Sequence, residues 1–279
     1  MFREDFRDYN RQHHDRHFRL QDGDFRYILS GAPEKPAMIF LNGLDMQEMW
    51  LHYMKDFERD HRVLMIEYPI SCTAVNDLLD GIAALLKHLH IEKPAVVGAS
   101  DGGLLAQLYV RRFPENISAL VLMTTVTLDS RYVADTNREN AALFLTAMKL
   151  VPYPLLRKTL LRRVCTYFND ESDAAQAYGR SFLEFIAANP GYKAKFIHAV
   201  KVLYDAGAKE QLRSAEFSSV RDHILILHPE KDIFIRADQE KLSALLAPAG
   251  AKVLYMKGGH LSFVSEPQGY IKAIREMMQ

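Results

Sequence analysis

Residues 95–109 constrain the fold more than any other part of the chain. An apolar run ends at a Gly-x-Ser-x-Gly pentad with Ser100 at its centre, and a helical pattern of apolar residues follows at once. A strand that turns sharply into a helix at a serine is typical of a strained turn that exposes a nucleophilic hydroxyl group. Gly98 and Gly102 permit the tight turn and the close approach of neighbouring elements. The alternative is a glycine-rich turn whose serine only caps the helix.

An acid and a histidine follow this serine in chain order. Residues 224–228 are almost entirely apolar and lead into a polar turn that contains Asp232, and residues 252–256 form a second predicted strand that ends at Gly-Gly-His260. A short strand that is apolar throughout suits the middle of a parallel sheet. The order serine, acid, histidine predicts a catalytic triad of Ser100, Asp232 and His260. Asp129, after another predicted strand, is the alternative acid.

With these three anchors the chain resembles the α/β-hydrolase fold superfamily, serine hydrolase type, over about residues 17–279. Shorter motifs at residues 42–43, 67–69 and 98–100 are similar to the maspardin-like branch. The resemblance implies an oxyanion hole of two backbone amides, those of Leu44 and Asp101. Asn42 stands where the superfamily commonly has histidine, and the loop after Glu67 lacks the glycines of many relatives.

The distribution of predicted elements divides the chain. Predicted strands and helices alternate up to residue 128, after a hairpin at residues 17–29, whereas residues 129–220 have helical spacing with no clear strand. We therefore predict an α/β fold of the α/β-hydrolase type, a mostly parallel central sheet with helices on both faces and an inserted helical cap. The core is expected at residues 1–128 and 221–279, and the cap at residues 129–220.

A cap above the carboxyl edge of the sheet predicts a covered, largely apolar substrate pocket. The candidate lining residues come from the catalytic loops and from the cap: Asn42, Met46, Trp50, Phe144, Met148, Ile233, Phe234 and Leu261. The cap also carries a basic cluster, Arg157, Lys158, Arg162 and Arg163, which we interpret as a solvated helix face.

Composition excludes several classes of protein. The chain has 35 basic and 35 acidic residues, which argues against nucleic acid or an acidic membrane surface as the main partner. Residues 1–18 lack the apolar core of a signal peptide, and no apolar run is long enough to span a membrane, so we expect neither element. The two cysteines, Cys72 and Cys165, fit a reduced, cytoplasmic protein. A histidine-rich stretch at residues 13–17 has no paired ligands elsewhere, and we predict neither a metal nor a cofactor.

These patterns predict a serine hydrolase that cleaves an ester-type bond of a small, largely apolar substrate through an acyl-serine intermediate, most simply a carboxylesterase. Thioesterase, lactonase, peptidase and acyltransferase activities use the same three residues and stay open. A hydrolase fold without catalysis, acting as a binding or adaptor module, is the alternative from a different class. The substrate and the oligomeric state are not readable from the sequence.

Overall fold

In the computed structural model, which describes residues 1–20, 23–134, 138–168, 171–232 and 235–279, eight strands form one sheet in the order β1-β2-β4-β3-β5-β6-β7-β8. The strands are β1 (Arg16–Leu20), β2 (Gly23–Ser30), β3 (Ala37–Leu41), β4 (Arg62–Glu67), β5 (Ala95–Ala99), β6 (Ala119–Met123), β7 (Ile224–Pro229) and β8 (Lys252–Met256). Strands β3 to β8 run parallel, and β2 pairs antiparallel with both β1 and β4. The prediction of a mostly parallel sheet is confirmed.

Helices cover both faces of this sheet. Over the described ranges they are α1 (Phe2–Gln12), α2 (Leu51–Phe57), α3 (Val75–His88), α4 (Asp101–Arg112), α5 (Arg131–Ala134), α6 (Arg138–Leu150), α7 (Tyr153–Val164), α8 (Asp173–Ala187), α9 (Tyr192–Gly207), α10 (Arg236–Leu246), α11 (Ser262–Ser265) and α12 (Gln268–Met278). No helix within those ranges is long and apolar enough to cross a membrane.

The alternation of side chains along β3 produces two hydrophobic cores. Ile39 and Leu41 pack into one core with side chains of α3 and α4, while Met38 and Phe40 pack into the other with side chains of α2 and α12. Successive residues of a strand point to opposite faces, so a strand that is apolar throughout must be covered on both sides. All four side chains are fully buried, as the apolar run predicts.

Helices α5 to α9 lie between β6 and β7, where the alternation of strands and helices is interrupted. The described residues of this segment contain no strand, so it has the character predicted for an inserted cap. The exact division at residues 129 and 220 stays a prediction.

The charged N-terminal segment forms α1, an element that the sequence analysis did not predict. Phe2, Phe6 and Tyr9 lie on one side of this helix and are buried. The Phe2 ring meets that of Phe182 on α8 at a centroid distance of 4.9 Å, and the Tyr9 hydroxyl lies 3.0 Å from the Ser30 hydroxyl. Helix α1 therefore joins a cap helix to the antiparallel edge of the sheet.

Candidate active site

Ser100 lies at the turn between β5 and α4, in a conformation that side chains rarely adopt. Its backbone angles are φ 53° and ψ −125°, in the left-handed half of the map. Such strain persists only where the surroundings hold it. The Ser100 amide donates to the carbonyl of Met123 at 3.0 Å, and the Thr125 hydroxyl donates to the Ser100 carbonyl at 2.6 Å. Strand β6 and the loop after it thus fix both sides of the turn.

Glycines surround Ser100 because the backbones meet too closely for a side chain. A Cβ atom on Gly102 would lie 2.1 Å from the carbonyl oxygen of Leu41, and one on Gly43 would lie 2.8 Å from the Ser100 Cβ. A Cβ on Gly98 would lie 2.4 Å from the carbonyl oxygen of Gly102. The pentad read in the sequence therefore reflects a close approach between the serine turn and the end of β3.

His260 connects Ser100 to Asp232. Its Nε2 lies 3.1 Å from the Ser100 Oγ, and its Nδ1 lies 2.6 Å from Oδ2 of Asp232. Because an ionised carboxylate can only accept, Nδ1 carries the ring proton and Nε2 is left to accept from the serine hydroxyl. The Asp232 side chain is fully buried, whereas the His260 ring is 15% exposed. This arrangement can remove a proton from the serine as the serine attacks a carbonyl carbon.

Backbone contacts align the two loops that carry the acid and the histidine. The amides of Glu230 and Lys231 donate to the carbonyls of Met256 and Gly258 at 2.9 and 3.0 Å. The Ile235 amide donates to Oδ1 of Asp232 at 3.2 Å, so the carboxylate is held from both sides. Backbone hydrogen bonds therefore join the loops after β7 and β8 to each other.

The alternative acid, Asp129, lies elsewhere. Its side chain is 71% exposed and its carboxylate is 3.8 Å from the ammonium group of Lys241. The acid that contacts the His260 ring is Asp232.

The loop after β3 is held from behind by buried hydrogen bonds. The Asn42 amide donates to the Tyr68 hydroxyl at 2.7 Å, and the Asn42 side chain donates to the Ile66 carbonyl at 2.5 Å and accepts from the Trp50 indole at 3.0 Å. Leu44 and Asp45 follow with φ values of 47° and 54°, which turn the loop towards Ser100. The asparagine that replaces the usual histidine is thus part of the loop's scaffold.

Charged groups link this loop to the cap helix α9. Burial raises the pKa of the Asp45 carboxyl well above its ordinary value, with the Lys195 ammonium group acting in the opposite direction. Lys195 pairs with Glu67 at 2.9 Å, and His198 lies 2.8 Å from the Cys72 carbonyl through Nε2. Helix α9 is therefore attached to the end of β4 and to the segment that follows it.

Ser100 and His260 face a large apolar cavity of about 640 Å³. Core loops supply one side of its lining and helices α6 to α9 supply the other. The lining residues are Gly43, Leu44, Met46, Met49, Ser100, Asp101, Leu104, Thr124, Thr125, Val126, Phe144, Met148, Leu156, Thr159, Leu160, Leu161, Val164, Leu183, Ile186, Ala187, Tyr192, Phe196, Ile235, His260 and Leu261. No lysine or arginine is among these described lining residues. The site is therefore suited to a neutral, largely hydrocarbon ligand.

Four of the eight residues expected at the pocket line the cavity. Met46, Phe144, Met148 and Leu261 line the cavity, as do Leu44 and Asp101, the residues expected to supply the oxyanion hole. Ile233 and Phe234 lie outside the described residues.

Asn42 and Trp50, which were also expected at the pocket, lie outside the lining of the large cavity. Both side chains are buried behind the loop, bonded to each other, and neither lines the large cavity. Their polar groups are directed into the scaffold because the Asn42 amide oxygen satisfies the buried indole N–H.

Most of the cavity-lining residues that come from the cap helices were not predicted. Helix α7 contributes Leu156, Thr159, Leu160 and Val164, and α8 contributes Leu183 and Ile186. Leu156, Leu160 and Val164 recur every four positions, and Leu183 and Ile186 are three positions apart, which is the spacing of one helix face. That spacing could have identified a buried face, but not whether it faces a cavity or another helix.

No cluster suited to a metal ion is formed by the histidine, cysteine and acidic residues of the described ranges. In the histidine-rich stretch, His13 lies 3.0 Å from the Glu58 carboxylate, and His17 lies 2.9 Å from the Asp24 carboxylate.

Comparison with known proteins agrees with the fold. Residues 36–267 match the model of the family described as alpha/beta hydrolase fold. The chain belongs to this family. The similarity to the maspardin-like branch stays a prediction.

Two curated members of the alpha/beta hydrolase fold family are similar in sequence. The 3-oxoadipate enol-lactonase 2 of Acinetobacter baylyi is 22% identical over 271 residues, which covers 93% of this chain and 94% of the enzyme. The human monoacylglycerol lipase ABHD6 is 24% identical over 169 residues, which covers 54% of this chain and 50% of the lipase. These similarities support a hydrolase.

Solved alpha/beta hydrolase structures superpose over nearly the whole chain. The enol-lactonase from Burkholderia xenovorans LB400 gives a TM-score of 0.76 at 15% identity and covers 94% of this chain and 99% of its own. The enzyme MGS-M2 from a deep-sea metagenome library gives 0.75 at 16% identity, covering 94% and 97%. At these identities the likeness concerns the fold alone.

Proposed function

We propose that this protein is a carboxylic ester hydrolase that works through an acyl-enzyme formed on Ser100. The observation that carries the proposal is the His260 ring, which lies 3.1 Å from the Ser100 hydroxyl and 2.6 Å from the buried Asp232 carboxylate. A nucleophile, a base and a group that orients the base are the parts that acyl transfer needs. Their position at the floor of a covered apolar cavity supports this reading over a non-catalytic binding module.

In the proposed reaction, Ser100 Oγ bonds to the ester carbonyl carbon while its proton moves to Nε2 of His260. Asp232 stabilises the imidazolium ion that forms and keeps its tautomer. The tetrahedral intermediate collapses, the bond to the alcohol breaks, and the alcohol leaves with the proton from His260. Water then gives a proton to His260, attacks the acyl group and releases the carboxylic acid, and the proton returns to Ser100.

The amides of Leu44 and Asp101 are the proposed donors to the developing oxyanion. Both residues line the cavity beside Ser100, and Asp101 is the first residue of α4, where helix amides are directed at the site. Loss of one such donor typically lowers kcat by about 10²–10³.

The cavity lining supports esters whose acyl or alcohol part is apolar. Aliphatic and aromatic side chains make up most of the wall, and the described lining residues offer no cation to bind an anionic substrate. A volume of about 640 Å³ exceeds the needs of an acetyl group and fits a ligand of drug-like size.

Lactone hydrolysis is the second candidate. The relative from Acinetobacter baylyi, which aligns with 93% of this chain, is named as an enol-lactonase. A lactone is a cyclic ester and reacts with the same serine and histidine. Relative kcat/KM values on aliphatic lactones and on open-chain esters of matched carbon number separate the two candidates. Thioesterase, peptidase and acyltransferase activities belong in the same panel.

The first test is labelling of the purified protein with a fluorophosphonate, which reacts with activated serines. We expect one adduct, mapped to Ser100 by peptide mass spectrometry. Ser100→Ala removes the nucleophile and should abolish labelling and ester turnover without unfolding the protein.

Ser118→Ala is the matched control, because Ser118 is an exposed serine between Ile117 and β6. It should keep full labelling. A folded protein that takes no label, or one that keeps turnover in Ser100→Ala, would overturn the proposal and favour the binding-module alternative.

A further inference from the structure

Aliphatic side chains are exposed on the outer side of helices α6 and α7. Over the described residues, eight large hydrophobic side chains are classed as exposed, and four of them lie within residues 143–155. Leu143, Leu150 and Leu155 are 71%, 79% and 57% exposed, and Phe144 is 42% exposed. Single exposed apolar residues are ordinary, but a group on one pair of helices marks an interaction surface.

The same two helices line the substrate cavity with their inner sides. On α6, Met148 lines the cavity while Leu143, Ala147 and Leu150, spaced by four and three residues, are exposed. Residues at this spacing share one helix face. Phe144 belongs to both sets, because it lines the cavity and is exposed. The cavity therefore reaches the surface beside the exposed aliphatic group.

This region is basic, although the whole chain is neutral. Residues 140–168 contain five lysines and arginines and no acidic residue, while the full sequence has 35 of each sign. Lys149, Arg157, Lys158 and Arg162 are exposed. In the part of the chain that the structure describes, none of these four side chains makes an ion pair with a carboxylate. Their charge is available to a partner.

We propose that this surface docks on an anionic lipid membrane. We call it the cap surface: Leu143, Phe144, Leu150 and Leu155 with Lys149, Arg157, Lys158 and Arg162. Apolar side chains that enter the headgroup region, flanked by cations that bind anionic headgroups, are the features of an amphipathic segment that lies on a bilayer. An isologous contact with a second copy of the chain would instead bring two sets of like charges together.

The location of the cap surface gives docking a function. An amphiphilic ester leaving the bilayer beside Phe144 would keep its hydrocarbon part in contact with apolar side chains all the way to Ser100. This step rests on the proposed hydrolase function, whereas docking itself does not. The overall charge balance gave no sign of this surface, because cations clustered on α7 are offset by acids elsewhere in the chain.

Docking is tested by vesicle flotation with the Ser100→Ala protein, which cannot turn over lipid. We expect binding to vesicles of phosphatidylcholine mixed with phosphatidylglycerol, weaker binding to phosphatidylcholine alone, and release as salt is raised. Each cation near an anionic surface contributes about fivefold to affinity, so Arg157→Glu with Lys158→Glu should lower binding by roughly 25-fold or more. The triple variant Leu143→Ser, Leu150→Ser and Leu155→Ser removes the exposed aliphatic side chains and should abolish vesicle binding.

Matched variants outside the cap surface serve as controls. Lys252→Glu with Lys272→Glu makes the same charge change at two exposed lysines of β8 and α12, and Ile70→Ser removes an aliphatic side chain that is 57% exposed. Both controls should bind vesicles as the parent does, and all variants should keep its melting temperature.

Three outcomes would overturn the proposal: no vesicle binding by the folded protein, equal losses in the controls, or self-association that the cap variants abolish in place of vesicle binding. Because binding is read without turnover, a protein that binds vesicles but takes no fluorophosphonate label would contradict the proposed function and leave docking intact.

Discussion

One tyrosine supports the loop that carries a proposed oxyanion donor. The Tyr68 hydroxyl accepts from the Asn42 amide at 2.7 Å, and the Tyr68 amide donates to the Asp45 carboxylate at 3.2 Å. Burial raises the pKa of the Tyr68 phenol, so the hydroxyl stays neutral over the usual pH range. The residue thus fixes both ends of the turn at Leu44 from a distance of more than twenty residues in sequence.

Tyr68→Phe should leave the Asn42 amide buried without its partner. An unsatisfied buried donor costs about 1–3 kcal/mol. We expect the free energy of unfolding to fall by that amount and kcat for a neutral ester to fall about tenfold or more, with KM less affected, because a displaced Leu44 amide acts mainly on the transition state.

Tyr109→Phe is the control for Tyr68→Phe, since Tyr109 is also a buried tyrosine but lies on α4 beside Phe113. It should leave kcat unchanged. Equal kcat values for Tyr68→Phe and the parent would show that the loop does not need this hydroxyl.

Asp101 places a carboxyl group beside the nucleophile and is expected to disfavour acidic acyl groups. Asp101→Asn keeps the backbone amide and removes the charge. Two unit charges in water about 4 Å apart interact by about 1 kcal/mol, so the ratio of kcat/KM for an acidic ester to that for a neutral ester should rise about fivefold. Initial-rate assays with a matched pair of acidic and neutral aryl esters measure this ratio. An unchanged ratio would contradict a role for the Asp101 charge in selectivity.

Individual residues differ in how well sequence alone predicts them. Ser100, Asp232 and His260 each follow a recognisable strand, so their meeting could be predicted from motif order. Asn42 and Trp50 were expected in the pocket because they lie close in sequence to Gly43 and Leu44. Their hydrogen bonds to each other and to the Ile66 carbonyl depend on packing across the sheet, which spacing does not reveal.

Among the helices and strands, α1 is the one whose loss should destabilise the packing of the cap. Phe2 stacks near Phe6 at 5.8 Å and meets Phe182 of α8 edge-on. Its side chain is 1% exposed although it is the second residue of the chain. The helix therefore connects the cap to the sheet through its buried side chains.

Phe2→Ala should destabilise the protein by about 3–5 kcal/mol, the usual cost of removing a buried phenylalanine ring. Urea unfolding measured by circular dichroism checks this value. Arg7→Ala, an exposed change on the same helix, is the control and should have little effect. A loss for Phe2→Ala as small as that for Arg7→Ala would mean that α1 is not packed on α8.

The elements themselves were largely predictable, and the exceptions have a physical reason. The predicted strands at residues 224–228 and 252–256 agree with β7 and β8 to within one residue. Helix α1 was missed because its charged residues outnumber its apolar ones. Phe2, Phe6 and Tyr9 nevertheless have the spacing of one helix face, and that signal could have revealed it.

For the molecule as a whole, one buried histidine makes stability depend on pH. His228 at the end of β7 is fully buried, with Nε2 2.9 Å from the Ser243 hydroxyl. Burial lowers its pKa from 6.5 to about 4. Below pH 6.5 the unfolded chain binds a proton that the folded chain does not accept until about pH 4. The free energy of unfolding therefore falls as the pH falls across this window.

His228→Gln should flatten that dependence. The full contribution of the shift is about 3 kcal/mol, present above pH 6.5 and lost progressively down to about pH 4. Urea unfolding at a series of pH values should show a smaller drop for His228→Gln than for the parent. The control His14→Gln, at an exposed histidine, should follow the parent curve. If His228→Gln also follows it, another group causes the acid sensitivity.

The topology was predicted in class but not in detail. Alternating strands and helices predicted a parallel sheet, and the hairpin of β1 and β2 was expected from its turn. That β2 joins the sheet through β4, and that β3 lies between β4 and β5, depends on crossovers between distant segments. Single-sequence patterns carry no information about such pairings, although they were enough to locate the edge where the site forms.

The two walls of the cavity are anchored differently, and this assigns them different tasks. Helix α9 is bonded to the core through Lys195, His198 and Asp205, whose partners are Glu67, the Cys72 carbonyl and the Val75 amide. The described hydrogen bonds that leave α6 and α7 go to other parts of the cap: Lys193 holds the carbonyls of Lys149 and Val151, and the Tyr153 hydroxyl donates to the Ala187 and Asn189 carbonyls. The α9 wall is thus hydrogen-bonded to the core, whereas the α6 and α7 wall is hydrogen-bonded to other cap residues. We therefore expect substitutions on α6 and α7 to change chain-length selectivity without disturbing the chemistry at Ser100.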